Sequence, residues 1–210
     1  MSTDNVFPSP AHSIPKRGEP AWDLALMYPL QGSWSVEDYL RLDTSMLVEY
    51  TDGFIRVLPM PSILHQWIVR FLFEILNGYV SERQLGEVFF APLPVALTST
   101  TYREPDIVFV RPRHIQSMNN HPTGADLVVE VVSAGEESRK RDYEQKRREY
   151  AAAGIAEYWI VDPQEKKITM LALDGCDYRA HGVFHSGDIA TSHLLPGLKI
   201  DVDATFVKCE

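Results

Sequence analysis

Two carboxylates stand where carboxylates are costly. Asp106 lies in the run Tyr102-Arg103-Glu104-Pro105-Asp106-Ile107-Val108-Phe109-Val110, and Glu130 in Asp126-Leu127-Val128-Val129-Glu130-Val131-Val132-Ser133. Both runs have the β-branched and aromatic richness of buried strands. An ionised carboxylate isolated in such a strand must protonate, pair with a cation or hold a metal ion. Two of them on neighbouring strands suggest a hard-metal site and hydrolytic chemistry. Strand alternation puts Asp106 on the face of Val108 and Val110, and Glu130 on the face of Val128 and Val132. In the competing reading Asp106 is solvated at a strand mouth and Glu130 pairs with an arginine.

The stretch that follows weighs against that plainer reading. From Ser138 to Ala153 the chain is rich in Arg, Lys and Glu, and Tyr143, Lys146, Tyr150 and Ala153 fall along one side of a helix. Lys146 therefore sits amid the face expected to pack inward. An ammonium there can stabilise negative charge building on a phosphate. Most of the other charges read as a solvated face laced with i,i+4 pairs such as Asp142–Lys146. Arg139–Arg141 and Arg147–Arg148 divide between that surface role and contacts to a DNA backbone. His65, at a helix start, reads as a cap or packing residue ahead of a phosphate contact or a partner that orients a metal-binding acid. Tyr150 reads as core with its hydroxyl near the site.

Other signals are silent. There is no Gly-rich phosphate loop and no GxSxG. His181 and His185 are four apart but have strand-like surroundings and Gly182 between them, which argues against a helical zinc pair. Cys176 and Cys209 form no CxxC, so a reducing cytoplasm is the expected home. The net charge of −9 argues against a dedicated nucleic-acid coat, though not against an enzyme with a local basic patch. No apolar stretch approaches the roughly 18–20 residues of a membrane span, and the first residues lack the apolar core of a secretory signal.

The elements that must position these groups follow from pattern. Residues 1–33, rich in Pro, Ser and Gly, read as a partly disordered tail with a docked patch around Trp22–Tyr28, and 34–210 as one domain. Ser35 and Asp38 suggest a capping box on a helix over 35–42. Met46–Tyr50 and Phe54–Leu58 flank Asp52-Gly53 as a hairpin. A long helix opens near Ser62, with Leu64, Trp67, Ile68, Phe71, Leu72, Ile75, Leu76 and Tyr79 at helical spacing. Strands are expected at 87–90 and 94–97, then the two acid-bearing strands. A helix from Glu136 to Ala153 stops at Gly154. Strands follow at 157–161, 168–173, 178–184 and 198–202. Helices and strands thus alternate around one mixed sheet, with a β-α-β unit from the Glu130 strand to the Tyr158 strand.

The combined order of motifs resembles a known family. Glu49 stands before the Asp52-Gly53 hairpin, and His65 opens the long helix. Pro105-Asp106, then Asp126 to Ser133, then Asp142, Lys146 and Tyr150, then Gly154 to Pro163 complete it. Over residues 35–207 this resembles the Uma-two family of restriction endonucleases, a branch of the PD-(D/E)XK nucleases. The resemblance implies an α/β (α+β mixed sheet) fold with a restriction-endonuclease-like core and Mg²⁺- or Mn²⁺-dependent hydrolysis of DNA. It implies metal binding by Asp106, Glu130 and the Val131 carbonyl, with Lys146 orienting water or stabilising the transition state and Glu49 holding a water or assisting a second ion. By analogy it also implies a homodimer, since two strands must be cut. One position departs from the superfamily pattern: Val132 occupies the usual lysine position, and Lys146 on the next helix fits the displaced lysine. The alternative is a catalytically silent nucleic-acid-binding or protein-interaction module on the same fold. The two part on geometry: in a nuclease Asp106 and Glu130 converge within about 5 Å, close enough to share one ion, and Lys146 points at the same spot.

Overall fold

A computed structural model describes residues 28–44 and 46–209. The expected tail, up to residue 27, and all of the Trp22–Tyr28 patch but Tyr28 lie outside the described residues. Residues 28–34 pack on the hairpin: Gln31 exchanges two 2.9 Å hydrogen bonds with the Ile55 backbone, and Tyr28 stacks on Trp34.

A short helix α1 (Val36–Leu40) begins at the capping box formed by Ser35 and Asp38. Strands β1 (Val48–Thr51) and β2 (Phe54–Val57) make the hairpin, and Ser62 caps the long helix α2 (Ile63–Glu82). Next come β3 (Glu87–Phe90), β4 (Val95–Thr98), β5 (Thr101–Arg103), β6 (Ile107–Val110) and β7 (Leu127–Val131). Helix α3 (Glu136–Lys140) runs through a π turn (Arg141–Gln145) into α4 (Lys146–Ala152). The chain ends with β8 (Glu157–Asp162), β9 (Lys167–Asp174), β10 (Asp177–Phe184), β11 (Ile189–Thr191), β12 (Lys199–Asp201) and α5 (Val202–Thr205).

The main sheet has the order β10-β9-β8-β7-β6-β3. Only β7–β8 is parallel, joined by the α3–α4 crossover expected from the sequence. Strand parity sorts its side chains. Ile107, Phe109, Leu127, Val129 and Trp159 face α2, whose Ile68, Leu72 and Leu76 are fully buried against them. Val108, Val128, Tyr158 and Ile160 face the other way and are covered by Tyr150, Ala151 and Ile155. Each such large side chain contributes about 1.5–3 kcal/mol by leaving water.

The single mixed sheet read from the sequence is divided. The run Tyr102–Val110 is two strands broken at Glu104-Pro105-Asp106, with β5 in a second sheet of order β2-β1-β5-β4 and β6 in the main one. Pro105 has no N–H for a ladder, so the break falls beside it. This break puts Asp106 at the junction of the two sheets and lets the small sheet deliver Glu49 to the same place. The strand β11 and the helix α5 carry too little periodicity to be foreseen.

The Asp52-Gly53 turn fixes that hairpin. Asp52 and Gly53 have φ of 46° and 86°, and a Cβ on Gly53 would stand 2.8 Å from the Gly32 carbonyl oxygen. Gly53→Ala is expected to lower stability by about 1–3 kcal/mol, read as the shift in urea midpoint; an unchanged midpoint would show that the turn carries no such constraint.

Candidate active site

The β6–β7 register pairs Ile107 with Val129 and, continued two residues, sets Asp106 opposite Glu130 and Pro105 opposite Val131. Directly opposed residues share a face, so both acids point to the side covered by α3 and α4. Pro105 stands where the ladder would supply an N–H to the Val131 carbonyl, and it has none to give. The Val131 N–H turns instead to Asp106 Oδ2, at 2.8 Å.

Lys146 points inward and is 1% exposed. Its Nζ donates to Glu130 Oε1 at 2.8 Å and stands 3.1 Å from Glu49 Oε1 and 4.0 Å from Asp142 Oδ1. The line to Glu49 is poorly aligned, so Glu49 Oε1 is buried without a hydrogen-bond donor. Tyr150 also donates to Glu130 Oε1, at 2.5 Å. The expected helical face is modified here. The buried line is Ser138, Asp142, Lys146, Tyr150, a spacing of four. In an unbroken α-helix that spacing drifts roughly 40° at each step. The wider π turn absorbs the drift, and Tyr158 Oη donates to the displaced Asp142 carbonyl at 2.9 Å. Tyr143, expected inside, lies half-buried and donates to Asp162 Oδ2 at 2.9 Å.

His65, favoured in the sequence as a cap or packing residue, stands at the N-terminal turn of α2 with Nε2 3.2 Å from Asp106 Oδ2. This is the less favoured of the two readings of His65, as a partner of the acid. Burial would lower its pKa, but hydrogen bonding and charge from Asp106, the Glu130 charge and the Val131 carbonyl outweigh it, and the net shift is upward. Two residues escaped sequence reasoning. Glu104 is buried and accepts from the Val48 N–H at 3.2 Å. Arg103, read only as part of a strand, braces the hairpin: it holds Glu149 through two nitrogens at 2.8 and 2.7 Å and the Tyr50 carbonyl at 3.0 Å.

The electrostatics show a shortage of positive charge. Glu49, Glu104, Asp106, Glu130 and Asp142 gather around Lys146, Arg141 and His65. Burial pushes the Glu130 carboxyl up to about 8 despite Lys146, with the charges of Asp106 and Asp142 adding to it. Burial likewise lifts Glu104 to about 7, against the Val48 N–H and with the charge of Glu49, and Asp142 also titrates high, mainly through burial. For Glu49 the burial penalty is outweighed by Lys146, Arg103 and Arg141, and its pKa is lowered. Lys146 is raised because its acid neighbours overcome its burial. Lys146, Arg103 and Arg141 offset the charge of Glu49 but not that of the whole group.

The arrangement suits a divalent cation. Both donors to Glu130 meet Oε1, and both neighbours of Asp106 meet Oδ2. Among the described residues the opposite oxygens, Glu130 Oε2 and Asp106 Oδ1, receive no hydrogen bond. Asp106 and Glu130 line a cavity of about 30 Å³ with Glu104, His65 and Val131, large enough for water-sized occupants. No three Asp, Glu, His or Cys among the described residues converge as a closed metal cage. Two carboxylates, a carbonyl and several waters are nonetheless the ligand set that Mg²⁺ commonly takes. A groove of about 720 Å³ opens beyond His65 and Ser133, bounded by Met60, Gln164 and Lys208.

A family model described as "Uma2: Putative restriction endonuclease" matches residues 36–203. Among curated proteins none matches the chain. Five solved chains do. One is described as a putative nuclease belonging to DUF820 from Anabaena variabilis ATCC 29413, with 18% identity, a TM-score of 0.68, and coverage of 84% of this chain and 99% of that one. At that identity the likeness shows the fold. No helix of the described residues is long and apolar enough to cross a membrane.

Proposed function

The chain belongs to the Uma2 family, described as putative restriction endonucleases, and on that premise we propose that it hydrolyses DNA phosphodiester bonds with Mg²⁺ or Mn²⁺. The observation that carries this reading is that Asp106 and Glu130, each with one carboxylate oxygen that accepts no hydrogen bond among the described residues, line one small cavity beside an inward-pointing Lys146. Asp106, Glu130 and the Val131 carbonyl are the ligands in this reading. When bound, a divalent ion supplies charge against the scissile phosphate and lowers the pKa of an adjacent water.

The remaining groups act on position and charge. Lys146 places its ammonium to stabilise negative charge building on the phosphate. Glu49 holds that ammonium, and Arg103 holds the strand carrying Glu49. His65 fixes Asp106, and Tyr150 fixes Glu130. The groove past His65 and Ser133 gives the nucleotides beside the scissile bond a place to lie. Cutting both strands takes two such sites, which a homodimer in the cytoplasm would supply. Residues 34–210 form the catalytic domain in this reading, with the preceding residues as a tail.

The second reading, a silent binding or interaction module, is favoured by Val132 at the usual lysine position and by the absence of a closed cage among the described residues. Cleavage of plasmid, linear duplex and single-stranded RNA with Mg²⁺ or Mn²⁺ separates the two. Asp106→Ala and Glu130→Ala are expected to slow cleavage by at least about a hundredfold, because losing a ligand costs more than losing a residue that orients one. Cleavage that survives both substitutions would mean the site lies elsewhere. Failure to cut any of the substrates would favour the silent module.

A further inference from the structure

We propose, on top of the nuclease reading, that Arg56 and Lys140 form a phosphate-binding shelf beside the site, which takes the substrate backbone next to the scissile position. The basic residues of the α3–α4 segment sort by partner. Arg139 is held by Asp162 at 2.7 Å and Glu165 at 2.5 Å. Arg147 donates to the Tyr178 carbonyl at 2.7 Å. Arg141 turns to Asp142 at 3.3 Å, and Arg148 lies 3.8 Å from Glu144. Arg56 makes one long bond, 3.4 Å, to Gln145. Among the described residues no carboxylate lies in ion-pair reach of Arg56 or Lys140.

Their placement ties the two free cations to the site. Arg56 is the cross-strand partner of Glu49 in the β1–β2 register, so its side chain leaves the small sheet on the face that carries Glu49. Lys140 precedes Arg141, which both contacts Asp142 in the site and lines the shelf. Between them lies a recess of about 360 Å³ floored by Gln145 and bordered by Arg148. Arg56 comes from the hairpin and Lys140 from the helix, so the recess is a cleft between two elements and not one solvated helix face. Arg141 and Gln145, which border the recess, are the chain neighbours of Asp142 and Lys146 in the site. Three glutamates also border the recess: Glu149 is held by Arg103 and Glu144 lies near Arg148, while Glu137 has no basic partner among the described residues and opposes an anion there. The chain carries −9 overall, so cations placed beside the site have a disproportionate share in attracting a polyanion.

The test is fluorescence anisotropy of the full chain with a labelled DNA duplex and its single strand, in EDTA so that no cleavage intervenes, over a salt series. The double variant Arg56→Ala/Lys140→Ala is expected to bind about tenfold more weakly near 0.1 M salt, with the slope of log K against log salt reduced by about 2. Arg147→Ala is expected to keep the wild-type slope, and Glu137→Gln to bind more tightly. Both shelf cations are exposed, so the double variant is expected to unfold at the wild-type temperature, which separates a binding loss from a folding loss. A wild-type slope in the double variant would overturn the shelf and leave the nuclease reading intact. Wild-type protein that binds neither form of DNA would overturn the nuclease reading on DNA and the shelf with it.

Discussion

Lys146→Met is expected to destabilise the protein by roughly 3–5 kcal/mol at pH 8, the usual cost of removing one partner from a buried ion pair, and to abolish cleavage. The methionine fills the volume, so the loss is electrostatic. Glu49 and Glu130, 3% and 4% exposed, would share the cluster with no ammonium between them. Arg103 stands 3.9 Å from Glu49 but is drawn to Glu149, and Arg141 is drawn to Asp142. The carboxyls of the variant then titrate higher still, so its folded state binds more protons than its unfolded state, and its stability rises as pH falls from 8 toward 6. Urea unfolding at the two pH values measures this. A variant within about 1 kcal/mol of wild type at pH 8, well below the buried-pair cost, would show that the acids are already protonated and that Lys146 carries little charge compensation. Lys146→Arg is not a rescue, because a planar fork does not fit a point-charge position among several carboxylates.

Much of this site was legible in the sequence, and the reasons are local. Asp106 and Glu130 share a face because strand parity requires it once both runs are strands. Lys146 points inward because it shares one side of the helix with Tyr150, four residues on, which is fully buried. What was not legible depends on breaks in regularity. The π turn at Arg141–Gln145 has no sequence signature, yet it decides that Asp142 and Lys146 face the acids together while Tyr143 does not. The split at Pro105 was visible as a proline, but that the chain changes sheets there is a long-range outcome. Glu104 and Arg103 took their roles from that split. His65 looked like a cap because its helix position suited one; its nearness to Asp106 depends on how α2 crosses the main sheet.

The largest pH effect is expected to flatten when a divalent ion is added. Without the ion, Glu130 titrates near 8 and Glu104 near 7, both above the usual glutamate value of 4.5. A carboxyl raised on folding contributes stability that is full below 4.5 and lost as pH rises through its folded value. His65, also raised, acts in the same sense. Glu49, lowered, acts oppositely, but its contribution is lost only in acid and is constant above pH 6. The protein in EDTA should therefore lose on the order of 4 kcal/mol between pH 6 and 8.5. An ion that takes Glu130 must displace its proton, so its affinity climbs over the same range. It stabilises the fold by about 2.7 kcal/mol when present at a hundred times its Kd. The rise in thermal midpoint on adding Mg²⁺ or Mn²⁺ should thus be larger at pH 8.5 than at pH 6. Glu130→Gln removes both the titration and the ligand: it should flatten the pH profile in EDTA and abolish most of the increment from the ion. Equal increments at both pH values, or an increment that Glu130→Gln retains in full, would mean that the ion binds away from these carboxylates. This readout needs no substrate, so it tests the metal reading even if the nucleic acid that the protein cuts differs from the one offered.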